Sequence, residues 1–282
     1  MKNYKGKLYI KNTQAKVYYR DNIQREFKVF LEKVVDYVLK NYETSKIFNS
    51  KYKQNKKEKE KESKVLKYIK RVWLPILLSR CNNIIVNWTI KAQNPIKKSI
   101  FSIIKDILSV EKRTITLNKN ILEQVLKIII KRNVDLISNL ATQTMTNIEN
   151  IVSNSLLSGE TLDNLKKKLN IINNIPQWRI NLIATDQTNK FNEAVNRIIQ
   201  NQFGVEYFVW YGLADGKERE EHLKLNDKIF KWGDSLERLP IIDKKGTRGY
   251  PAESVNCRCQ ALPYIPQGQA KWLGNNKGYQ FV

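Results

Sequence analysis

The chain has 282 residues, 50 Lys+Arg against 27 Asp+Glu, a formal net charge of +23 and 41% hydrophobic residues. That apolar content is enough for a buried core, so disorder of the whole chain is excluded in spite of its charge. No run of about 18 uncharged apolar residues occurs, so no transmembrane helix is expected.

The start, Met1-Lys2-Asn3-Tyr4-Lys5-Gly6-Lys7, is charged and no apolar stretch follows it, so no secretory signal is expected. Residues 1–140 carry +20 and residues 141–282 +3, while Gly6 and Gly159 alone of the glycines precede residue 200. A basic, helical first part and a turn-rich, nearly neutral last part are the reading. The first apolar stripe is Phe27, Phe30, Leu31, Val34, Val35, Val38 and Leu39, spaced by three and four as on one helix face. Next comes the lysine run of residues 51–70: Lys51, Lys53, Lys56, Lys57, Lys59, Lys61, Lys64, Lys67 and Lys70, set against Glu58, Glu60 and Glu62. Such a run is the footprint of phosphate contact without base readout, and equally of a solvated helix face or linker. Trp73 and Trp88 flank an apolar segment and read as packing residues.

Further helical stripes follow at Ile121, Leu122, Val125, Leu126, Ile129 and Ile130, and at Leu136, Ile137, Leu140, Met145, Ile148 and Ile151. Ser158-Gly159-Glu160-Thr161 is a break, after which Thr161 caps a short helix through Leu169. Pro176 precedes a helix from about Trp178 to Gln202. Beyond Gly204 the period changes to two. Val205–Tyr211 reads as a strand buried on both faces, with further strands at Ile229–Trp232 and Cys257–Leu262. The fold class is α+β: a long, basic helical region, then a compact domain of helices and a small antiparallel sheet. The domain boundaries are 1–155, 156–266 and a C-terminal tail, 267–282.

The chemistry available is narrow. Three cysteines cannot all pair, which excludes a disulfide framework and suggests a reducing compartment. With one histidine, His222, two-His metal sites and histidine relays are excluded. No Gly-x-Ser-x-Gly elbow and no phosphate-binding glycine loop is present, and no catalytic residue is assigned. His222, Cys257 and Cys259 could be three ligands of a zinc ion, with Asp215, Asp227 or Glu253 as a fourth; they could equally be a buried histidine hydrogen-bonded beside two small buried thiols.

One order of residues is distinctive: Trp210, Asp215, Arg219, His222, the Asp227-to-Phe230 turn and strand, Tyr250-Pro251, then Asn256-Cys257-Arg258-Cys259. It resembles the phage Mu F-like minor head protein family, also called the phage head morphogenesis domain, over about residues 150–265. The helix segment Arg179–Thr185 and the Gly159-Glu160-Thr161-Leu162 turn are similar to the family's upstream elements. Many members carry Cys-x-x-Cys after the Asp and His-Pro-x-Cys-x-Cys at the end; here Arg219 and His222 stand at the first two positions and Ser254 at the His position. Ala184-Thr185-Asp186 also differs from the usual Arg-Thr-Glu. The resemblance implies a non-enzymatic minor capsid protein of a tailed phage or prophage. It implies association with the portal protein and other head components, and with DNA during assembly and ejection. It places the chain in the virion, and in the host cytoplasm before that. No cofactor is required on this reading, and zinc is a candidate ion. The alternatives are a hydrolase or nuclease centred on His222, or a stand-alone, sequence-independent nucleic-acid-binding protein.

Overall fold

The structure, a computed structural model, describes residues 12–51, 65–108, 119–172, 174–213, 215–274 and 276–282. Among the described residues the long helices come first: α1 (Thr13–Lys51), α2 (Leu74–Leu108), α3 (Lys119–Leu157), α4 (Leu162–Ile172) and α5 (Asn174–Gln202). A π-helical turn, Ile69–Trp73, leads into α2. Strand β1 (Tyr207–Tyr211), the short helix α6 (Glu220–Leu223), β2 (Ile229–Lys231), β3 (Gln260–Tyr264), β4 (Ala270–Trp272) and β5 (Tyr279–Phe281) follow. The α+β architecture of a long helical first part and a small antiparallel sheet is therefore present. Contacts divide the chain into two compact units whose borders fall inside helices.

One unit is helical: Val17–Trp88 with Ile130–Ala184. The stripe on α1 becomes its core, with Phe27, Phe30, Leu31, Val34, Val35 and Val38 buried. The two later stripes lie on the single helix α3, where Ile137, Leu140, Met145 and Ile148 are buried. Burying each such side chain contributes about 1.5–3 kcal/mol, which makes these faces the source of helix stability. Tyr19 is fully buried; its hydroxyl donates to Asn133 Oδ1 at 3.0 Å and its ring meets Trp88 edge-on at 5.0 Å. Trp88 is packing, as its sequence context suggested. No helix was expected over α2, yet Leu77, Cys81, Ile85, Trp88, Ala92, Ile96, Ile100 and Ile104 recur there at spacings of three and four and are buried; Pro95 lies inside it. The cap expected at Thr161 is present, its Oγ1 accepting the Asn164 N–H at 3.3 Å.

The other unit joins Met1–Lys16, Thr89–Ile129 and Thr185–Val282. Its sheet is antiparallel throughout, in the order β3-β1-β2-β5-β4. Phe208 of β1 is paired with Phe230 of β2 and with Pro263 of β3. Phe208, Trp210, Phe230, Trp232 and Tyr250 form an aromatic core with Leu225, Ile242, Cys257, Cys259 and Ala261. The opposite face of β1 is half-buried rather than buried: Tyr207 packs edge-on against Tyr279 and Phe281. Those rings come from the segment expected as a tail, 267–282, which instead supplies β4 and β5 and widens the sheet from three strands to five. Strands of three residues carry too little alternation to be legible in sequence. Gly278, at φ 74°, lets β5 approach β2 so closely that a Cβ there would collide with the Ile229 carbonyl oxygen.

Candidate functional site

The site is built between the β1–β2 connection and the segment entering β3. After β1 the chain leaves the sheet at Gly212, whose N–H donates to Asn226 Oδ1 at 2.7 Å, and returns when the Asp227 N–H donates to the Trp210 carbonyl at 2.9 Å. Helix α6 fills the excursion and points His222 inward, 3% exposed. From the other side Asn256 takes φ 56°, a left-handed conformation that Asn tolerates better than most residues. This turn sends Cys257 and Cys259 into the core.

His222 Nδ1 lies 3.4 Å from Cys257 Sγ and 3.4 Å from Cys259 Sγ, and all three donor atoms are within 4.8 Å of one another. His222 Nε2 is hydrogen-bonded to the Ile242 carbonyl at 3.0 Å. That carbonyl accepts, so Nε2 carries the proton and the Nδ1 lone pair faces the sulfurs. Trp210 stands edge-on to the imidazole at 5.5 Å. The two sulfurs are not equivalent. The hydrogen bond with Cys259 is the main force lowering the Cys257 pKa, with burial opposing and His222 assisting. Cys259 is pushed strongly up, by that same hydrogen bond and by burial. Burial, the largest single influence, disfavours an imidazolium at His222, but the Cys257 sulfur and the Ile242 carbonyl together outweigh it and raise the pKa. The arrangement is two sulfurs and a histidine sharing protons out of water.

This donor set fits zinc. With Zn–N near 2.0 Å and Zn–S near 2.3 Å, a tetrahedral site has N···S edges of about 3.5 Å, close to both 3.4 Å separations. His222, Cys257 and Cys259 would hold the ion. None of the fourth ligands considered from sequence joins them among the described residues. Asp215 is gripped by Arg258, Nη2 to Oδ1 at 2.7 Å and Nη1 to Oδ2 at 2.5 Å, which lowers its pKa to about 2. Glu253 Oε2 accepts the Tyr250 N–H at 2.9 Å, and Asp227 serves the turn at φ 60°. Arg219 is also structural in its contact, donating to the Val255 carbonyl at 2.8 Å.

A row of residues on α5 that sequence reading passed over holds the Cys-x-Cys limb. Asp186, Asn189, Glu193, Asn196 and Gln200 recur at spacings of three and four. Asp186 Oδ1 accepts the Asn256 N–H at 2.7 Å, and Asn189 donates to the Cys257 carbonyl at 3.1 Å. Glu193 Oε1 accepts the Ala261 N–H at 3.0 Å, while the amides of Asn196 and Gln200 both donate to the Ala261 carbonyl, at 2.8 and 2.9 Å. The signal was available: polar side chains at core periodicity need buried partners. Burial pushes Glu193 up to about 8, although the Ala261 N–H and the Asn196 amide pull the other way.

The basic run contributes less that can be described. Lys53, Lys56, Lys57, Lys59, Lys61 and Lys64 lie outside the described residues; Lys51 is the last residue of α1. Lys67 is exposed, and Lys70 is paired with Glu149 at 2.6 Å.

Residues 146–262 match the family model of phage Mu protein F like proteins. This segment is similar to a Mu F-like domain. The match takes in the α5 polar row, Trp210, His222 and both core cysteines, and it agrees with the span read from the motif order. An uncharacterized protein of Haemophilus influenzae is 23% identical over 137 residues, which are 49% of this chain and 29% of that relative. The chain thus aligns with less than a third of the curated relative's length. No solved structure matches.

Proposed function

We propose that the chain is a minor head component of a tailed phage or prophage, in which the Mu F-like domain is a rigid docking body for the portal vertex and the basic region contacts DNA. The observation that carries this reading is the domain match together with the packing of its signature residues. His222, Cys257 and Cys259 are buried at 3%, 4% and 3% exposure, and both imidazole nitrogens are occupied. A hydrolytic site needs its nucleophile and base within reach of a substrate, so this burial favours a structural knot over a hydrolase or nuclease. Zinc, when bound by His222, Cys257 and Cys259, would tie α6 to the limb entering β3; the chain's own residues orient the imidazole through Ile242 and fix the limb through the α5 row.

The test is co-expression with the portal protein of the same phage, followed by affinity capture. The full chain is expected to be retained with the portal, and a Cys257→Ser, Cys259→Ser variant to be retained less. A folded chain that never associates with the portal contradicts the proposal. Purified chain that cleaves DNA, peptide or ester, and loses this with His222→Ala while folded, favours the enzyme instead.

A further inference from the structure

We infer that Glu218 is the fourth ligand of a zinc ion held by His222, Cys257 and Cys259. The inference rests on the zinc reading above and adds to it a residue of this chain. Glu218 lies four positions before His222, in the loop that enters α6. Its Oε2 is shut off from solvent and has no hydrogen-bond partner, an arrangement that is costly for a carboxylate oxygen. Its Oε1 makes only a long contact, accepting the Asp215 N–H at 3.4 Å. Its negative charge acts on Cys259, one of the two sulfurs of the cluster.

A buried acceptor with no donor, near enough to Cys259 for its charge to act on that sulfur, is the side chain a cation would satisfy. Structural zinc sites close at four protein ligands, and carboxylate oxygen is an accepted donor at about 2.0–2.2 Å. The carboxylate stands outside the group of three donors that lie within 4.8 Å of one another. Ligation therefore asks it to release the Asp215 N–H and turn toward the sulfurs. Two thiolates, a carboxylate and a neutral imidazole would leave the zinc site with one net negative charge. Arg219, whose positive charge acts on His222, offsets it.

The experiment uses the full chain and two probes, zinc and cobalt(II). Zinc affinity is measured by chelator competition for wild type, Glu218→Ala and Glu218→Gln, and visible spectra are recorded after cobalt loading. The expected result is one zinc per chain in wild type and an affinity at least roughly tenfold weaker in both variants, since even outer-shell losses at metal sites cost 10–100-fold. The cobalt–thiolate charge-transfer band should persist while the d–d bands shift, because both sulfurs remain and one oxygen donor changes. The Gln variant keeps the shape and the acceptor for Asp215 N–H, which guards against simple misfolding. Unchanged affinity and spectra in both variants overturn the Glu218 assignment and leave a three-residue zinc site standing. No zinc binding by wild type overturns both.

Discussion

Glu193→Gln should stabilise the sheet-bearing unit at alkaline pH and remove much of its pH dependence. Glu193 is 6% exposed and its carboxyl is pushed from 4.5 to about 8, chiefly by burial. Between those two pH values the unfolded chain has released the proton and the folded chain has not. Stability therefore falls as pH rises through this window and levels off above about 8. At 1.36 kcal/mol per pH unit the ceiling on the loss is about 5 kcal/mol. Glutamine has no proton to lose, and its Oε1 can still accept from the Ala261 N–H and the Asn196 amide, the bonds Glu193 makes at 3.0 Å. Urea unfolding of both proteins at pH 5.5, 7 and 8.5, followed by tryptophan fluorescence, separates the two curves. The variant should match wild type near pH 5 and exceed it progressively toward 8.5. Parallel curves, or a variant less stable than wild type at pH 8.5, would refute the buried-proton argument.

Other perturbations probe other parts. Arg258→Ala should raise the Asp215 pKa from about 2 toward its ordinary value, read by NMR titration; the stability that the pair adds is present above pH 4 and lost as pH falls toward 2, so acid unfolding should begin earlier. Trp88→Ala in the helical unit removes a fully buried ring that meets Tyr19 edge-on and should cost about 3–5 kcal/mol by thermal or chemical unfolding. Thr161→Ala deletes the cap of α4 and should cost about 1 kcal/mol, measured the same way. Deleting residues 52–64 should flatten the slope of log DNA affinity against log salt; absence of DNA binding by intact protein near 50 mM salt would turn the +20 of residues 1–140 toward an acidic protein partner instead.

The legible parts of this chain were those with a long period or a rare residue. Phe27 to Val38 repeat over several turns, so their helix was readable. A lone histidine and a Cys-x-Cys pair made the 222–257–259 cluster easy to nominate, although 35 residues separate its halves. What was not legible has physical reasons. Strands β4 and β5 are three residues long, too short to show alternation. Helix α2 was legible but passed over: Ala92, Ile96 and Ile100 continue a buried stripe through Pro95, which tertiary packing accommodates. The α5 row was masked because periodicity was sought among apolar residues, whereas Asp186, Glu193, Asn196 and Gln200 occupy buried positions by bonding to backbone. Glu218 carries no sequence signal at all; only its buried, unpartnered oxygen distinguishes it from its neighbours Glu220 and Glu221.

The most direct test of the head-component account is quantitative mass spectrometry of procapsids and mature virions purified after induction of the phage that encodes the chain. The account expects the full chain in both particles, at a small fraction of the major capsid protein's abundance, and expects a Cys257→Ser, Cys259→Ser chain to be depleted from them. A chain that is expressed and folded yet found only in the soluble lysate, absent from every head fraction, would contradict the account.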